Sequence, residues 1–162
     1  MCDIEWSPDH KTLLVTFTSA TPAESQSCIE YLVQYMKQVV DNGNMFTMRV
    51  DTSQMGASPG FPTVRMLVQF MKEYRSRCEK QMKGTAIMIE NSVLRWLLNT
   101  VFSLQPPASP VHIVSSLVEA DQYIQDAIQG CARQNCAYTY RKNEEQEALL
   151  SPTDQQLLSG GQ

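Results

Sequence analysis

The feature that most restricts this chain is an alternation. Four times between residues 12 and 130, a short β-branched and apolar run gives way to a stretch with helix-start signals and helical periodicity. Antiparallel strands can be joined by a tight turn, but parallel ones need a crossover of a dozen or more residues, usually a helix. Strands alternating with helices therefore demand a parallel arrangement. The expected fold class is α/β, with a mixed, largely parallel sheet of about five strands and about four helices.

The individual signals place these elements. Met1 to Trp6 reads as a short edge strand. Ser7-Pro8-Asp9-His10 is turn chemistry, and Thr12 to Ser19 (TLLVTFTS) is a good strand, so the chain opens with a hairpin. Thr21-Pro22-Ala23-Glu24 is a capping box with proline at the first helical position. The helix behind it puts Ile29, Leu32, Val33, Met36 and Val40 on one stripe and ends at Asp41-Asn42-Gly43. A strand from Met45 to Val50 leads into a small-residue loop, Asp51 to Phe61, and then a helix from near Pro62. That helix carries the stripe Val64, Leu67, Val68, Met71 and Cys78. Gly84 opens a turn before TAIMIE (Thr85 to Glu90), a run suited to a sheet covered on both faces. Asn91 caps a helix from Ser92 to Leu104, stopped by Gln105-Pro106-Pro107. Val111 to Val114 is the last strand, and the capping box Ser116 to Glu119 starts a helix through Ile128 to Gly130. From Ala137 the chain turns polar and acidic. The expected organisation is one α/β domain over residues 1–136 and a flexible tail over 137–162.

Composition narrows the function classes. A chain of 162 residues suits one domain. A net charge of −4 argues against binding nucleic acid through bulk electrostatics. The five cysteines are odd in number and scattered, so reduced thiols and a cytoplasmic location are expected rather than a disulfide scaffold. The start, MCDIEWSPDHK, lacks the basic and apolar regions of a signal peptide. No run reaches the roughly 20 apolar residues of a membrane span, so no integral membrane segment is expected.

Chemistry-bearing constellations are sparse. Two histidines, His10 and His112, and no C-x2-C pair give no zinc site, and no cofactor is expected. There is no G-x-S-x-G elbow, and His112 inside PVHIV reads as a core histidine. The loop DTSQMGASPGFP is the best candidate: it follows a strand's carboxyl end and precedes a helix N-terminus, where open α/β sheets bind ligands. Asp51, Thr52, Ser53, Gly56, Ser58 and Gly60 are its candidate residues. It has no lysine after the second glycine and is not a Walker A loop; the bland alternative is a polar connection. The next helix is locally basic, with Arg65, Lys72, Arg75, Arg77, Lys80 and Lys83, which fits an anionic partner or a solvated face. The helix from Ser92 is apolar most of the way round, so it is either enclosed or offers Trp96, Leu97, Val101 and Phe102 to a partner or lipid. Serine precedes proline at Ser7, Ser58, Ser109 and Ser151, and a phosphate on Ser58 would sit near a helix N-terminus.

The order of elements and the segment Val50-Asp51-Thr52-Ser53 with Gly56-Ala57-Ser58-Pro59-Gly60 resemble the SpoIIAA-like group, which holds the STAS regulators and the CRAL-TRIO lipid-binding domains. The familiar Asp-Ser-Ser-Gly run of the STAS loop is absent. AIMIEN, VLRWLLNTVFSLQPP and VHIVSS are similar to CRAL-TRIO sequences instead. The STAS likeness implies a non-enzymatic, cytoplasmic interaction module with an unidentified protein partner, switched at Ser53 or Ser58. The CRAL-TRIO likeness implies a binder of lipid or another apolar ligand, its pocket between the sheet and the helix Val93 to Leu104, with Trp96 reporting occupancy. A flavin- or nucleotide-using enzyme is the third class. A homodimer through the apolar helix is compatible with either of the first two.

Overall fold

The protein is described here by a computed structural model covering residues 1–130. The expected tail over 137–162, the domain limit at 136, Cys131 and Cys136 lie outside the described residues. Five strands form one sheet: β1 (Cys2–Trp6), β2 (Thr12–Ser19), β3 (Phe46–Met55), β4 (Met82–Met88) and β5 (Val111–Val114). Their spatial order is their sequence order. β1 runs antiparallel to β2, and every later pair is parallel. The helices are α1 (Pro22–Asp41), α2 (Phe61–Glu73), α3 (Arg75–Gln81), α4 (Ser92–Leu104) and α5 (Leu117–Ile128). The α/β fold expected from the alternation is the fold observed.

Local chemistry explains the element ends. The Thr21 hydroxyl accepts from the Glu24 amide while the Glu24 carboxylate accepts from the Thr21 amide, closing the capping box of α1. Those amide bonds, from Ala20 first and Thr21 second, hold the Glu24 carboxyl below its usual range. Asn91 accepts from the amides of Val93 and Leu94 at the start of α4. Ser116 accepts from the Glu119 amide at α5.

Three steps across the sheet in one direction put α1, α2 and α4 together on one face, where they share a core with Leu13, Val15, Phe17 and Val50. Among the described residues, α5 alone covers the other face, over Ala86, Met88 and Val114. The approach is close: a Cβ placed at Gly84 would meet the Ala127 Cβ at 3.0 Å and the Tyr123 hydroxyl at 3.1 Å. Gly84 was expected to open a turn. It lies inside β4 instead, because only a residue without a side chain lets α5 seat there. Arg49 on β3 reaches Asp121 on α5.

Two further boundaries differ from expectation. The helix expected from Pro62 past Cys78 is two helices, broken at Tyr74 (φ −100, ψ 6). Tyr74 stacks on Phe70 at 5.1 Å, lies under the cations of Lys37 and Arg77, and Arg77 pairs with Asp41. α3 then passes into β4 at Met82 with no connecting loop. β3 runs five residues past the expected end at Val50, through Met55.

Candidate functional site

The extension of β3 recasts the Asp51 to Phe61 segment. Asp51, Thr52 and Ser53 are strand residues, paired beyond a bulge with the end of β2 through Thr18 opposite Gln54 and Ser19 opposite Met55. The extra residue of the bulge brings Met55 to the same face as Val50 and Thr52, five and three residues earlier in the chain. Strict alternation would have turned it away. Thr52 is buried and donates to the Met88 carbonyl at 2.6 Å. The Asp51 carboxylate accepts from the Ser53 amide at 2.9 Å, and Ser53 is exposed. The true loop is residues 56–60. Its Gly56 amide donates to the Ser19 carbonyl at 2.8 Å, so closely that a Cβ there would lie 3.2 Å from that oxygen. Ser25 donates to the Ala57 carbonyl at 2.6 Å, which leaves Ser19 as donor in the 2.7 Å bond between the two hydroxyls. Ser58 is half-buried, and Gly60 caps α2 through its backbone position without a side-chain bond. The strand order never reverses, so no crevice of the switch-point kind opens at the carboxyl end of β3.

An apolar space lies between the layers. A cavity of about 190 Å³ separates the sheet from α1, α2 and α4. Met48, Val50, Thr85 and Ile87 form its floor; Val33, Met36, Leu67, Met71, Leu97 and Val101 contribute to its roof. Met48 and Ile87 stand in central strands yet keep partial exposure, which marks a helical layer that does not close on the sheet. Of the four apolar residues singled out on α4, Leu97, Val101 and Phe102 line the cavity. Trp96 does not: it is 43% exposed on the outer side, near Val93 at 56%. The helix thus divides its apolar surface between the interior and solvent.

Among the described residues, the lining has no charged side chain. Its hydroxyls are those of Thr52, Thr85 and Ser109, and Thr52 is committed to Met88. Cys78 also faces the cavity, and burial pushes its thiol up to about 11. Cys2 is pushed up to about 12, by burial first and then by neighbouring Cys28 and Asp3. Neither supplies a thiolate nucleophile at neutral pH. Among the described residues, no group of three or more His, Cys, Asp or Glu side chains is placed to hold a metal ion, and no helix is long and apolar enough to cross a membrane. His112 packs on the Tyr123 ring at 5.3 Å and lies 3.5 Å from the Glu119 carboxylate, on the α5 face away from the cavity.

A family model described as a divergent CRAL/TRIO domain matches residues 9–144. The chain belongs to that family. No curated protein and no solved structure matches it. Within this CRAL/TRIO domain, the cavity residues that periodicity alone did not single out as a site are the methionines Met36, Met48, Met55, Met71 and Met82, and Thr85. A signal for them lay unused in the methionine content, nine residues in all. Flexible thioethers fill irregular and adaptable apolar sites.

Proposed function

We propose that this domain is a non-enzymatic binder of a small lipid-like or otherwise apolar ligand, held between the sheet and the layer of α1, α2 and α4. The observation that carries this reading is a cavity of about 190 Å³ whose described lining residues are all uncharged. An engineered apolar cavity of about 150 Å³ takes up benzene, so a void of this size accepts a compact hydrocarbon body. A longer chain requires the methionine-lined walls to repack. CRAL/TRIO domains typically bind lipophilic ligands, which agrees with the reading.

Native mass spectrometry of freshly purified protein, followed by methionine-methyl NMR during ligand titration, tests it. Uptake should shift the methyl signals of Met36, Met48 and Met71. Filling the floor with Ile87→Phe should weaken uptake at least tenfold and cost about 1–3 kcal/mol of stability through overpacking. Undiminished binding by a folded Ile87→Phe variant would place the ligand elsewhere.

A second reading is protein contact or self-association through the outer side of α4, favoured by exposed Val93 and Trp96. Trp96→Ala should then lower the sedimentation mass or abolish partner capture while leaving ligand uptake intact. A switch at Ser53 or Ser58 belongs to this second reading and rests on the exposure of Ser53. A phosphate-mimicking Ser53→Asp that leaves partner capture unchanged would remove it.

A further inference from the structure

We propose that the Thr85 hydroxyl is the polar anchor of the cavity and selects an uncharged, mainly hydrocarbon ligand carrying one hydroxyl or carbonyl oxygen. The inference rests on the cavity being a ligand site. Thr85 is 2% exposed, lies on the cavity floor in β4, and its Oγ1 has no hydrogen-bond partner. The side-chain oxygens of Thr63 and Gln81 share that condition, but neither residue lines the cavity. A buried hydroxyl without a partner is unfavourable, and folded chains rarely keep one. Here the residue lines a space whose methionine-rich walls can repack, so a guest oxygen admitted beside Thr85 meets a hydroxyl that both donates and accepts.

The rest of the lining sets the class of guest. With no Lys, Arg or His among the described residues of the wall, a carboxylate or phosphate drawn inside would lose its hydration and gain no counter-charge from them. The guest's internal oxygen must therefore be neutral. Its direction follows from the register. Thr85 stands opposite Met48, and Thr52 lies four residues further along β3, about 13 Å away at the usual rise per residue. Thr52 has already given its proton to Met88. The Thr85 amide donates to the Pro110 carbonyl, so the anchor is at the end closed by residues 107–110. The hydrocarbon body then runs from there towards Thr52 and Met55.

The test uses n-hexanol, n-hexane and hexanoate as probes of the whole chain, read by methionine-methyl NMR, with Thr85→Val and Thr85→Ser. The wild type should take hexanol in preference to both other probes. Thr85→Val should weaken hexanol binding about fivefold to tenfold with hexane unaffected, the effect of one hydrogen bond. Thr85→Ser should retain the preference. Unliganded Thr85→Val should melt no lower than the wild type, since it loses only an unpartnered hydroxyl; a fall of several degrees would make that hydroxyl structural and overturn the anchor. Equal loss of hexanol and hexane, or a preference for hexanoate, would also overturn it while leaving the cavity as a ligand site. Failure of every probe to bind would overturn the site and the anchor together.

Discussion

Cys78 stands where α3 meets the cavity, 6% exposed, with a thiol raised to about 11 by burial. The folded chain therefore holds this proton more tightly than the unfolded chain, whose thiol titrates near 9.0. Stability linked to that proton is complete below pH 9 and is lost as the pH rises from 9 to about 11. We expect the urea unfolding free energy to fall by of order 2 kcal/mol more for the wild type than for Cys78→Ala across that window. Parallel curves for the two proteins would show that the thiol is not coupled to folding. Asp9, at the opening turn, shifts the opposite way: the Ser7 hydroxyl and then the Lys11 amide stabilise its carboxylate and lower its value. Both residues show chemistry that spacing alone does not announce, because it depends on what the fold brings alongside.

Among the elements, those with an explicit cap or a clear period were legible. The capping box at Thr21, the Asn91 cap and the apolar strands at 12–19 and 111–114 all stand where the residue types put them. At Ser116 the hydroxyl caps the Glu119 amide, and the Glu119 carboxylate reaches the Ser115 amide instead of closing the expected box. What escaped were features decided by long-range partners. DTSQM looks like a loop because its side chains are polar and small. It is a strand because β2 supplies its ladder and Thr52 finds a carbonyl on β4. The α2–α3 break carries neither Gly nor Pro; it depends on Tyr74 meeting Phe70, Lys37 and Arg77. The loop behind β3 is likewise held by a distant residue, Ser25 at the start of α1. Replacing it by Ala removes both hydroxyl bonds and strands the buried Ser19 hydroxyl. We expect Ser25→Ala to cost about 1–3 kcal/mol and to speed amide exchange at Gly56 before any global change. Unchanged Gly56 exchange would show that Ser25 does not hold the loop. Of the candidate site, the inner face of α4 was readable as apolar helix surface, whereas the floor was not. A strand facing a void has the same composition as one facing a packed helix.

At the scale of the molecule, an internal space has a thermodynamic signature. A ligand that binds only the folded chain raises its stability by about 2.7 kcal/mol at one hundred times its dissociation constant. For a domain of this size that corresponds to some 8 °C in melting temperature. We expect hexanol to raise the melting temperature in a concentration-dependent way for the wild type and to leave Ile87→Phe unmoved. A flat response in both would argue against occupancy of the cavity in the folded state.

The strand order carries a consequence for how the molecule comes into being. Because each strand lies beside the one before it in the chain, no strand has to be threaded between two already joined. The β1–β2 hairpin closes over a short turn, and each later helix–strand unit extends the growing edge by one place. Loop closures stay short relative to the chain, and the sheet grows at one edge only while β1 stays the other. Such a sheet can be laid down in the direction in which a ribosome releases the chain, N-terminal part first. Among the described elements α5 comes last, and it covers the second face only after the five strands have emerged.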